Sequence, residues 1–144
     1  MAFTERLTEQ LAVVGAIDPS TGVVALISTD VIDMTYHRRC LFTLMTGDTV
    51  GGTGILVEIQ EGTVAVPNSA VILTSIATAV ATVDNQYIYE VSAEAMADTY
   101  TVLRGDVTPT GASILAMLVQ ADVERYHPAS DLNHADATIM GTAN

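Results

Sequence analysis

The chain is 144 residues long, one domain's worth, and its 17 acids against 5 bases give a formal net charge of −12. Nucleic acid and an acidic membrane surface are both excluded as partners by that balance, because each is recognised through clustered Lys and Arg. Only 15% of residues are charged while 49% are hydrophobic, more apolar surface than a small domain hides. The composition therefore predicts burial against other proteins and a homo-oligomer or larger assembly.

Residues 1–22 are expected to form an N-terminal arm or short helix. Thr4 with Glu5 reads as a helix start, Leu7, Leu11 and Val14 fall on one helical face, and Gly15 with Asp18-Pro19 stops the run. A helix this short is marginal alone, so it must pack on the body or on a neighbour, or else form an extended arm. The segment carries acid and lacks a long apolar core, which argues against a secretory leader.

Residues 23–123 read as an all-β body. Val23 to Thr29 is a first strand, and Asp30 to His37 a corner. Cys40 to Thr46 is apolar at Leu41, Phe42, Leu44 and Met45, the composition of a strand covered on both faces. Gly54 to Gln60 alternates Ile55, Val57 and Ile59 with Leu56, Glu58 and Gln60, as a half-buried strand does. Between them Gly47 to Gly54 reads as a hairpin turn. It lacks the Lys-Ser/Thr of a P-loop and opens no helix, so no phosphate cradle is expected.

Thr63 to Val66 is a possible short strand, Pro67-Asn68-Ser69 a turn, and Ala70 to Ala77 a strand rich in β-branched residues. The uncharged stretch from Thr63 to Val83 is too polar, and broken too early by Pro67, for a membrane span. Thr78 to Val83 reads as loop or helix. Gln86 to Val91 sets Tyr87, Tyr89 and Val91 against Ile88 and Glu90, and Ser92 to Met96 is one helical turn. Tyr100 to Val107 and Ser113 to Asp122 are the last strands, separated by the turn Thr108-Pro109-Thr110-Gly111. Residues 124–144 lack periodicity and are expected to form an extended C-terminal tail. Seven or eight short strands between turns indicate a β-sandwich.

No chemistry stands out. Cys40 is the only cysteine, which excludes an intrachain disulfide and a thiolate metal cluster. His37 and Cys40 are too few for a metal site. Asp131, Asn133, His134 and Asp136 begin as a calcium loop does, but without its central Gly or its distant Glu. No Gly-x-Ser-x-Gly elbow is present, so neither a catalytic residue, a metal nor a cofactor is expected. Tyr87, Tyr89 and Tyr100 offer a sugar-stacking surface, although core or interface packing is the simpler use of three tyrosines.

The order of four segments resembles small structural proteins of tailed bacteriophages and prophages. They are VIDMTYHRRCLFTLMTGD, ILVEIQEG, QYIYEVSAEAMADTYTVLRGDVT and ILAMLVQADVERYHPASDL. Asp33, Met34, His37, Arg39, Leu41 and Phe42 occupy the family's first corner and strand, and Gln60-Glu61 its second strand end. Tyr100 to Arg104 follow its third element and Arg125 to Asp131 its late R-Y-x-P-A-S-D tail. The chain departs from the family between Thr63 and Val83, where a more polar loop is usual. The resemblance implies a head decoration (cement) protein with a jelly-roll-like β-sandwich, often a trimer, on the capsid surface. It further implies the major capsid protein as partner and assembly in the host cytoplasm. The interface residues expected are Arg38, Arg39, Arg104 and Arg125 as cations, because Arg is preferred over Lys where charges are desolvated. Tyr126 and Pro128 would anchor the tail, with Leu7 and Leu11 on the N-terminal segment. The alternatives are a tail or fibre structural protein and a carbohydrate-binding module.

Overall fold

The computed structural model describes residues 10–50, 54–77 and 84–122. Its strands, in chain order, are β1 (Leu11–Val23), β2 (Ile27–Ser28), β3 (Ile32–Asp33), β4 (Arg39–Val50), β5 (Ile55–Gly62), β6 (Ala70–Ala77), β7 (Asn85–Ser92), β8 (Val102–Pro109) and β9 (Ala112–Asp122). A single 3-10 turn follows β3 at Met34–Tyr36, and another follows β7 at Ala93–Ala95.

Pairing is antiparallel throughout and nested. β1 lies beside β9, β2 and β3 both lie beside β8, β4 beside β7, and β5 beside β6. The chain is thus doubled on itself about the β5–β6 turn. Two further pairings, β4 with β9 and β5 with β8, roll this doubled ribbon into sheets ordered β1-β9-β4-β7 and β2-β8-β5-β6. β2 and β3 share one position, so eight positions make a two-sheet jelly roll. The sheets pack through their alternating inward residues, including Cys40, Phe42 and Leu44 of β4, Ile55, Val57 and Ile59 of β5, and Leu115, Met117 and Val119 of β9.

Five expectations need correction. The body starts at Leu11, not at residue 23, because residues 11–22 form most of an edge strand and not a helix or arm. Register shifts between Val13 and Gly15 and again after Ile17 make the inward set Ala12, Val14 and Ile17, and that step of three imitates a helix. Asp18-Pro19 is tolerated in β1 because the strand is on the sheet edge, where a missing N–H breaks no ladder.

Gly47 to Gly54 is not a hairpin turn. Residues 47–50 are the end of β4, the chain passes from there to β5 in the other sheet, and the two strands do not pair. Nor is β4 covered on both faces: Cys40, Phe42 and Leu44 are buried, whereas Met45 is exposed and Leu41 only half-buried. Lastly, the first expected strand is split, with Val23 ending β1 opposite Ser113 and Ile27–Ser28 pairing with β8, and residues 63–66 form a turn closed by hydrogen bonds between Thr63 and Val66. Residues 124–144 lie outside the described residues.

Candidate protein interface

The first strand of the sandwich begins where the last one ends. Leu11, the first residue of β1, pairs with Asp122, the last of β9. The Asp122 carboxylate caps the start of β4, accepting the Arg38 N–H at 2.8 Å and the Arg39 N–H at 2.7 Å on Oδ1. His37 Nδ1 bonds the Asp122 carbonyl from a buried position. Arg39 pairs with Glu90 at 3.2 Å. Both side chains are largely in solvent, so the pair is worth about 0–1 kcal/mol. Beside it lies an open groove of about 590 Å3 lined by Arg38, Arg39, Glu90, Ser92, Ala93 and Glu94.

The fold therefore brings Leu11, Arg38 and Arg39 together at one corner, while Arg104 stands elsewhere. Arg104 projects from β8 on the outer face of the second sheet. Its Nε and Nη2 donate to Asp106 at 2.9 and 2.8 Å, and Nη2 also reaches Gln60 Oε1 at 3.2 Å. Asp106 is only 3% exposed. A bidentate Arg partner answers the cost of burying that carboxylate, so this guanidinium is committed within its own chain. Leu7, Arg125, Tyr126 and Pro128 lie outside the described residues, as do Asp131, Asn133, His134 and Asp136.

The two outer faces differ sharply. On the β2-β8-β5-β6 sheet the central cross-strand neighbours are mostly polar: Glu58 lies opposite Asp106 and Thr74, and Gln60 opposite Arg104 on one side and Val71 on the other. On the β1-β9-β4-β7 sheet one row runs Val13, Gln120, Leu41, Glu90, and the next Ala16, Leu118, Thr43, Ile88. A third continues Ala116, Met45, Gln86. Ile88 is 64% exposed, Ile114 44% and Met45 39%. Sequence reasoning missed this face, although β4 and β9 signalled it by being apolar at consecutive positions.

Tyr87 and Tyr89 point the other way, into the sandwich. Tyr89 is buried, Tyr87 and Tyr100 pack partly buried against the core, and the sugar-stacking surface is therefore not formed. Burial also pushes the Tyr89 hydroxyl above its ordinary pKa. Burial first, with the Asp122 charge adding, pushes the Cys40 thiol from 9.0 up to about 12. The thiol is protonated and shielded at neutral pH, as a core residue and not a nucleophile. Because the folded pKa is the higher one, this contribution to stability is complete below pH 9.0 and is lost as pH rises toward 12. Cys40→Ala should give a shallower alkaline decline in urea melts, and wild-type Cys40 should resist alkylation until denaturant is added. Rapid alkylation of the folded chain would contradict this burial. Among the described residues no three His, Cys, Asp or Glu side chains are grouped to hold a metal ion.

No family model matches the chain, and no curated protein matches it. Solved structures do. A chain in the structure of infectious bursal disease virus Gt strain aligns with a TM-score of 0.50 and 12% identity, over 84% of this chain and 33% of that one. The Gx strain of the same virus aligns at 0.43 with 11% identity over 84% and 33%. A chain from Bacillus endospore appendages, described as disulfide-linked pili, aligns at 0.43 with 8% identity over 86% and 100%. The likeness is one of fold, and only the first is close enough to bear on it. This chain spans about a third of the viral chain it matches.

Proposed function

We propose that this chain is a structural protein of a virus particle and acts by covering and gripping other proteins, with no bond made or broken. The observation that carries the reading is a jelly roll of the kind found in a virus chain, with one outer sheet face left apolar on a polypeptide of net charge −12. The finer reading follows the phage resemblance: a head decoration protein on the capsid surface, bound to the major capsid protein and assembled in the host cytoplasm. Apolar burial at about 25 cal/mol per Å2, repeated over many copies, would then oppose the pressure of packaged DNA. A tail or fibre structural protein is the second reading, favoured by the same apolar face. The carbohydrate-binding reading loses its support with the inward tyrosines.

Copy number on purified particles separates the two. Copies in proportion to capsid subunits support decoration, whereas a single ring's worth moves the protein to the tail or neck. In this reading Arg125→Glu with Tyr126→Ala weakens attachment to capsids by about tenfold or more, about 1.4 kcal/mol, and leaves the melting curve unchanged. Unchanged occupancy on particles would remove the tail from the interface.

A further inference from the structure

We propose that the outer face of the β1-β9-β4-β7 sheet is where two copies of this chain meet, face to face about a two-fold axis. This deepens the assembly reading above by naming a surface and a symmetry.

β4 and β9 are apolar on both sides, yet one chain covers only one side. Leu41, Thr43, Met45, Ile88, Ile114 and Leu118 form a face whose middle rows carry no charge on β4, β7 and β9. An exposed apolar face of this kind marks a protein contact. The opposite sheet's outer face sets Glu58, Gln60, Arg104 and Asp106 side by side, with Leu56 and Val71 as its apolar members.

Charge permits a second copy here, and the size of the face suits one. Two chains of formal charge −12 repel unless they meet where acids are few. Apart from Asp18 on the edge strand β1, the charges of this face sit at its ends. Arg38 and Arg39 mark one end together with Glu90 and Glu94, so that end is close to neutral. Asp84 marks the other, its Oδ1 beside Gly47 at the mouth of a groove of about 370 Å3 that Pro19, Met45 and Ile114 also line. A two-fold axis in the plane of the interface, running across the strands near Thr43, sets this near-neutral end of each copy over the Asp84 end of its partner, so the two Asp84 ends do not face each other.

Size is adequate. Four strands about 4.8 Å apart and a β9 of 11 residues at about 3.3 Å each span roughly 19 by 36 Å, about 700 Å2 in projection. A stable pair buries about 800 Å2 per partner. A face that meets its own copy is isologous and closes as a dimer, in contrast to the three-fold form that the phage resemblance implies.

The test is the mass of the full-length chain by sedimentation and light scattering over a concentration series. Wild type is expected at twice the chain mass. Ile88→Glu and Ile114→Glu should each weaken the dimer about tenfold or more, because an unpaired carboxylate would be buried. Thr74→Glu, exposed on the outer face of β6, should leave it intact. Thermal melts of all variants confirm that each is folded, and either face variant alone suffices if the other unfolds. A wild type of single or triple mass, or a dimer that survives both face variants, would overturn the proposal. Particle occupancy tests the virion reading separately, so either can fail alone.

Discussion

Gly62→Ala is expected to destabilise the chain by about 2–4 kcal/mol and to slow its refolding. A methyl group at Gly62 would come 2.1 Å from the Val66 carbonyl oxygen and within 3 Å of the Pro67 backbone. Neither neighbour can yield easily. The Val66 carbonyl accepts from Thr63 N–H at 3.1 Å and from the Ser69 hydroxyl at 2.8 Å, and Ser69 N–H is held by the Glu61 carbonyl at 3.0 Å. Opening the turn gives up these bonds, each worth about 1 kcal/mol. The turn also joins β5 to β6, the innermost pair of the nested roll. That pair closes the shortest loop and forms at the least entropic cost, so it is the natural first step of folding. Urea chevrons check both claims. A loss under about 1 kcal/mol, or a change confined to the unfolding arm, would contradict them.

Phe42→Ala should cost about 3–5 kcal/mol, the range for emptying a fully buried aromatic site. Phe42 sits on β4 between Val119 of β9 and Tyr89 of β7, with no exposed surface. Its ring crosses the sandwich to lie over Gly105 of β8, where a Cβ would stand 3.1 and 3.2 Å from two ring carbons. The bare backbone there is also tied to Thr29, through Gly105 N–H to Thr29 Oγ1 at 2.9 Å and Thr29 N–H to the Gly105 carbonyl at 2.8 Å. Gly105→Ala alone is therefore expected to destabilise, since ring and strand cannot both stay. In the Phe42→Ala background the new methyl enters vacated space, so the double variant should recover about 1 kcal/mol or more relative to the sum. Strict additivity in denaturant melts would show that the two residues do not share one contact.

Several elements are legible in the residues alone. Ala70–Ala77 is the strand expected, residue for residue, and β7, β8 and β9 begin and end within two residues of their sequence boundaries. In these segments a two-residue period or β-branched composition sits between clear turn residues, and the local signal suffices. β1 is illegible because its bulges break that period. Arg104 reads as an interface cation because an arginine two residues before Asp106 on one strand face does not announce its partner. That both side chains point outward, and that Asp106 is buried, depends on the strands beside them.

Periodicity and turn chemistry thus determined that this chain is an all-β sandwich with an apolar core. They determined which residues of a strand share a face, because backbone geometry alternates whatever the surroundings. Which strand lies against which was decided only in three dimensions. The partners of β4 are β7 and β9 and not its sequence neighbour β5, since backbone hydrogen bonds are alike in every strand and carry no label. The same step decided which apolar face stays uncovered, because burial is a property of neighbours and not of the residue itself.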